Sequence, residues 1–200
     1  MVDPRILTIG GWMAEPELEW LWHIASKLPP NSLVVEIGSW LGRSTGAIAL
    51  GGAGKLRIVC IDTWKGQPDL VDSDHKLAKE IDLKAQFVTH MQYLGLNPTP
   101  YAGMPEYAGL YYLDADSGTA VSEFPDASID WWFNDGDHLR LGADIDAYKP
   151  KFKADCLVTG HDYFCFYETI QQEIHKRFWI NEIHHSIWVK YNTGKPPEWY

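Results

Sequence analysis

Asp135, His138, His161 and Asp162 are the residues of this chain best placed by type and spacing to do chemistry together. Asp135 and Asp162 follow short apolar runs, Ile129–Phe133 and Cys156–Thr159, that read as buried strands. If those strands are neighbours in a parallel sheet, the two acids stand about 5 Å apart in the ladder direction. Two carboxylates and the His161 imidazole then make a site for a divalent ion, with oxygen ligands suiting Mg²⁺ or Mn²⁺. His138 lies three residues beyond Asp135, at the edge of that site. A neutral imidazole near pH 7 is a ready general base. On this reading the catalytic pair is His138 and Asp135, and the metal ligands are Asp135, His161 and Asp162. The same spacing also suits two histidines that are simply hydrogen-bonded loop residues.

A second group could hold the other reactant. Leu33–Ile37 is an apolar run containing Glu36, and Gly38 and Gly42 follow it before a helix-like segment, Arg43 to Leu50. A strand, a tight glycine turn and a helix N-terminus are the usual construction for a nucleotide-like cofactor. The glycines let backbone approach the ligand, so a branched residue at 38 should block binding and spare the fold. A dinucleotide fingerprint needs a middle glycine, and Ser39-Trp40 stands there instead. Asp62 ends the next apolar run, Leu56–Ile61, and is followed by Thr63 and Trp64. An acid in that position can accept hydrogen bonds from ribose hydroxyls, or can equally cap its own turn. Asp116 and Ser117 follow a third short run, Tyr111–Leu113.

These residues need a scaffold that gathers strand ends, and the pattern supplies one. Apolar strand-like runs alternate with helical periodicity over Glu15–Leu28, Arg43–Leu50, Lys76–Leu94, Thr119–Phe124, Leu141–Tyr148 and Glu168–Arg177. Asn97–Pro100 reads as a linker, and the polar, proline-containing Gly66–Asp74 as a mobile lid. Asp69, Asp72, Asp74 and His75 are assigned to that solvated loop rather than to a metal cluster. Phe178–His184 and Ser186–Tyr191 are β-like runs separated by almost nothing, so they should pair as a hairpin. The expected fold is α/β: a doubly wound, Rossmann-like, mostly parallel sheet with a terminal antiparallel β hairpin. It forms a single domain over residues 1–200, with an N-terminal helical segment over residues 1–30.

Composition narrows the partners. The 200 residues are 46% apolar and 22% charged, with a net charge of −10. That charge, without a basic run, argues against a phosphate backbone. No apolar stretch approaches the length of a membrane span, and Met1–Ile6 lacks a signal pattern. Cys60 and Cys156 sit in apolar runs, which suits buried thiols in a reducing cytoplasm. Ten tryptophans are expected mainly in the core and pocket walls. The expected partner is a small-molecule acceptor, with homo-oligomerisation left open and no nucleic acid or membrane.

Glu36-x-Gly38-x-x-x-Gly42 resembles the first motif of class I S-adenosylmethionine (SAM) methyltransferases. Ile61–Gly66, Ile129–His138, Asp144, Pro150 and Gly160–Tyr163 are similar to the macrocin O-methyltransferase and cephalosporin hydroxylase type of that class, over about Trp12 to Tyr163. The resemblance implies a SAM-dependent methyltransferase acting on a small-molecule hydroxyl. It implies SAM held by the loop from Glu36 to Thr45 (Gly38, Ser39, Gly42 and Ser44 included), by Asp62 with Thr63 and Trp64, and by Asp116-Ser117. It also implies Mg²⁺ or Mn²⁺ at Asp135 and His161-Asp162, with His138 as base. His161 departs from the acid of metal-dependent relatives, and Ala154-Asp155 from their glycine pair. The rival readings are an NAD-dependent oxidoreductase or epimerase, disfavoured by the missing glycine, and a non-catalytic SAM-fold binding protein. Hydroxylase chemistry lacks an evident His-x-Asp iron motif on a strand.

Overall fold

A computed structural model describes residues 1–66 and 78–200. Eight strands form one sheet in the order β3-β4-β2-β1-β5-β6-β8-β7. They are β1 Leu33–Ile37, β2 Arg57–Asp62, β3 Pro98–Pro100, β4 Gly109–Asp114, β5 Ile129–Asn134, β6 Phe152–Gly160, β7 Glu182–His184 and β8 Ile187–Tyr191. The pairings from β3 across to β6 are parallel. β8 runs antiparallel to β6, and β7 antiparallel to β8, as the terminal hairpin requires. Among the described residues the α-helices are α1 Glu15–Lys27, α2 Arg43–Gly52, α3 Leu83–Tyr93, α4 Ser117–Ala120, α5 Leu141–Tyr148 and α6 Gln172–His175.

Successive side chains of a strand face opposite ways, and both faces of this sheet are apolar. Val34, Ile58, Cys60, Trp131, Phe133 and Leu157 pack under α1, α2 and α3. Leu33, Val35, Val59, Trp132, Cys156 and Val158 pack under α4, α5 and α6. This is why the central strands read as continuous apolar runs. Trp131, Trp132 and Trp188 are completely buried. Cys60 and Cys156 are buried free thiols, and Cys165 is an exposed one.

Several boundaries differ from the sequence pattern. Asn97–Pro100 is not only a linker: Pro98–Pro100 forms the edge strand β3 on β4. Proline is tolerated there because an edge strand leaves one row of backbone groups unpaired. The helix expected from Lys76 begins at Leu83 among the described residues, because Asp82 caps it by accepting from Ala85 N at 2.9 Å. β6 extends back to Phe152, with a register shift opposite Ile129–Trp131. The helix expected over Glu168–Arg177 is a π-helical turn, Tyr167–Gln171, running into α6. Of Phe178–His184, the segment Glu182–His184 is the part that pairs. The expected lid over Gly66–Asp74 lies outside the described residues beyond Gly66, as do Asp69, Asp72, Asp74 and His75. No helix among the described residues is long and apolar enough to cross a membrane.

Candidate active site at the carboxyl ends of the strands

The chain leaves β1 toward β2 on one side, while β5 lies on the other. That reversal opens a crevice beyond the strand ends, where doubly wound sheets bind ligands. Gly38 turns the chain with φ +82°. A Cβ there would press on the Asp135 carbonyl group, 2.6 Å from its carbon and 2.7 Å from Gly136 Cα. Gly38 is therefore needed so that the loops after β1 and β5 can touch, and a branched residue there would not spare the fold, contrary to the expectation. Gly42 has φ +91°, and a Cβ there would lie 3.0 Å from Phe87 of α3.

Glu36 lies behind this loop, completely buried. Its carboxylate accepts hydrogen bonds from Ser39 Oγ and Ser44 Oγ at 2.7 Å each, and from Thr45 Oγ1. Burial pushes its carboxyl above the ordinary range, against the three hydroxyl donors. Asp62 sits at the end of β2. Its Oδ2 accepts from Trp40 N at 2.8 Å and its Oδ1 from Trp64 N at 2.7 Å. Burial raises its carboxyl too, against those backbone donors. A carboxylate oxygen keeps a second lone pair after one such bond, so Asp62 shapes the loop and can still accept from a ligand. Asp116 caps α4, and Ser117 Oγ donates to the buried Asp144 at 2.7 Å.

One cavity of about 700 Å³ spans these ends. Gly38, Ser39, Ser44, Asp62, Thr63, Asp116, Ser117, Asp135, His138, His161 and Asp162 all line it. Glu36, Gly42, Thr45 and Trp64 stand behind its wall, because their side chains or backbone serve the packing of the loop. Its volume is in the ordinary range of small-molecule sites.

Asp135, His161 and Asp162 present ligand atoms that all lie within 4.8 Å of one another. His161 Nδ1 is 3.4 Å from Asp135 Oδ1 and 3.2 Å from Asp162 Oδ1. These separations exceed the roughly 2.7–2.9 Å of a charge-assisted N–H···O bond. They approach the roughly 3.0 Å between neighbouring ligand atoms around an octahedral ion bonded at about 2.1 Å. The donor set therefore fits a divalent ion, and its imidazole inclines it from Mg²⁺ toward Mn²⁺. The carboxylates of Asp135, Asp162 and Glu17 also hold a proton on the ring. Against burial, which lowers it, they push His161 up to about 12. Asp162 is held well below the carboxylate range, since the His138 and His161 contacts outweigh its burial. Burial leaves Asp135 above that range despite His161.

His138 Nε2 lies 2.9 Å from Asp162 Oδ2. Its ring packs on Phe166, with centroids 4.0 Å apart. Asp162 has φ +60°, an uncommon conformation that points one carboxylate at both histidines. Other groups on the cavity wall come from segments the motifs do not cover: Gly10–Met13, Glu17, Arg140, Cys165, Phe166 and Ser186. Glu17 had a legible signal. It lies four residues before Leu21, on the apolar stripe of α1, where an unpaired acid would be costly.

A glycine turn, an acid ending the adjoining strand and one cavity over the strand ends define a Rossmann-like nucleotide-type site. Residues 35–163 match the family model described as a methyltransferase domain, so the chain belongs to that methyltransferase family. Among solved structures, the cofactor-bound protein Rv0187 from MTB is 14% identical with a TM-score of 0.57, covering 80% of this chain and 66% of its own. The SAH-bound methyltransferase PaMTH1 of Podospora anserina is 13% identical at TM-score 0.55, covering 78% and 56%. An O-methyltransferase of Bacillus cereus in complex with SAH is 13% identical at TM-score 0.55, covering 86% and 72%. This chain thus spans less than two thirds of the length of the first two, and the likeness is one of fold. No curated protein sequence gives a significant match.

Proposed function

We propose that this chain is a SAM-dependent methyltransferase of the macrocin O-methyltransferase and cephalosporin hydroxylase type, transferring a methyl to a hydroxyl of a small-molecule acceptor. The observation that carries the reading is one cavity holding both the β1 glycine turn with Asp62 and the His138–Asp162 pair. Gly38, Ser39 and Ser44, with the N-terminus of α2, would receive the amino-acid end of the cofactor, and Asp62 its ribose hydroxyls. Glu36, Gly42 and Thr45 support that loop from behind, and Asp116-Ser117 flank its far side. SAM, when bound, supplies a methyl already activated by its sulfonium, so the protein is left to orient and deprotonate the acceptor. Asp135, His161 and Asp162 would hold a divalent ion, whose chemistry is to bind acceptor oxygens and lower a hydroxyl pKa.

Asp162 Oδ2 fixes His138 Nε2, and Phe166 fixes the ring plane. With Nε2–H donated to Asp162, His138 keeps its lone pair on Nδ1, the atom that takes the acceptor proton. The ionised Asp162 then stabilises the imidazolium that results. The free thiols support a reducing, cytoplasmic setting. The charge of −10 favours a small neutral or cationic acceptor over nucleic acid. Calorimetry tests the cofactor: SAM and S-adenosylhomocysteine should bind and NADH should not. Binding of NADH in preference to SAM would return the oxidoreductase reading, and SAM binding without methyl transfer to any hydroxyl acceptor would return the non-catalytic one.

A further inference from the structure

Glu17 belongs to none of the motifs above, yet it is buried among the site residues. Its Oε2 accepts from Ala14 N at 2.7 Å, closing the first turn of α1. Its Oε1 accepts from Ser186 N, in the hairpin turn, at 3.1 Å. The same Oε1 lies 3.2 Å from His161 Nε2. That nitrogen is buried and has no other polar partner among the described residues, and its contact with Glu17 falls short of hydrogen-bond alignment. On the opposite side of the ring, Nδ1 lies between Asp135 and Asp162. An imidazole can ligate a cation through one nitrogen only if the other carries the proton, and a carboxylate there fixes both tautomer and ring direction. Glu17 is itself fixed by two backbone donors on separate elements.

We propose that Glu17 is the positioning residue of the cation site: it holds His161 by Nε2, so that Nδ1 is presented with Asp135 and Asp162 to one divalent ion. This rests on the metal reading of that site. It gives the N-terminal helix a functional role.

The test uses the whole chain and Mn²⁺ as probe, with free Mn²⁺ counted by electron paramagnetic resonance. Glu17→Gln should weaken Mn²⁺ binding about 10- to 100-fold, the usual effect of losing such a partner, and leave S-adenosylhomocysteine affinity unchanged. In a His161→Asn background the further Glu17→Gln change should have no effect on Mn²⁺. Ala14→Pro, which deletes the Ala14 N–H at a φ of −75° that proline accepts, should spare Mn²⁺ affinity. ¹⁵N spectra of the Mg²⁺-loaded wild type should show His161 protonated at Nε2 and not at Nδ1. If the wild type binds Mn²⁺ and Glu17→Gln binds it equally well, the positioning role falls while the metal reading stands. If Ala14→Pro loses as much affinity as Glu17→Gln, or the loss persists in His161→Asn, Glu17 is only structural and the proposal is overturned. If the wild type binds neither Mn²⁺ nor Mg²⁺, both fall together, and the S-adenosylhomocysteine titration reports on the cofactor site independently.

Discussion

Gly38→Ala should cost the protein stability before it costs ligand affinity. At φ +82°, an L-residue pays about 1–2 kcal/mol for the left-handed conformation. The added Cβ would also lie 2.6 Å from the Asp135 carbonyl carbon and 2.7 Å from Gly136 Cα. Carbon atoms pack at about 3.5–4.0 Å, so the loop after β5 would have to retreat by about 1 Å. Overpacking of this kind costs roughly 1–3 kcal/mol. Together these give about 2–5 kcal/mol out of a typical domain stability of about 5–15. Urea unfolding should therefore show the midpoint lowered by roughly 1–2.5 M at an m-value of about 2 kcal/mol/M. Asp135 moves with the loop, so Mn²⁺ affinity should drop as well. Gly38→Val adds branching at the same place and should do worse. The reasoning would be refuted by a Gly38→Ala protein whose stability lies within about 0.5 kcal/mol of wild type but whose S-adenosylhomocysteine binding is lost. That result would mean the glycine serves the ligand and not the contact between loops.

His138→Ala should retain SAM and Mn²⁺ but slow single-turnover methyl transfer by about 10²–10⁴-fold; an unchanged rate removes the base. Asp162→Asn should lose Mn²⁺ affinity and turnover together, because one carboxylate faces both histidines, and turnover should also vanish in EDTA and return with Mn²⁺. Glu36 makes a pH prediction. Burial raises its folded-state pKa above the ordinary 4.5, so the folded protein binds more protons than the unfolded chain between those values, and its stability falls as pH rises through that window. Glu36→Gln cannot titrate, so its stability relative to wild type should increase from pH 4 upward; parallel pH profiles from urea melts would contradict this. Glu36→Ala strands the Ser39, Ser44 and Thr45 hydroxyls and should destabilise by about 2–4 kcal/mol, visible as a lowered Tm.

Much of the scaffold was legible because its signals are local. Leu33–Ile37 and Leu141–Tyr148 carry their periodicity in consecutive residues, and the structure returns the same bounds. The close spacing of the last two β-like runs already required a hairpin. Asp135 and Asp162 could be brought together from sequence, since neighbouring parallel strands end at a common edge. What the sequence could not decide is which way each of those side chains faces and what stands across from it. Glu36 sits inside the glycine motif, but it points into the core, where three hydroxyls hold it. Gly38 meets Asp135, a residue 97 positions away. Glu17 reaches His161 from a helix 144 positions earlier in the chain. Periodicity and capping act within a few residues, so the sequence by itself determined the strands, the helices and the edge where chemistry collects. Contacts between segments so far apart in the chain exist only once the sheet has closed, and tertiary structure alone decided which acids face the cavity, which support its loops and which hold the histidine.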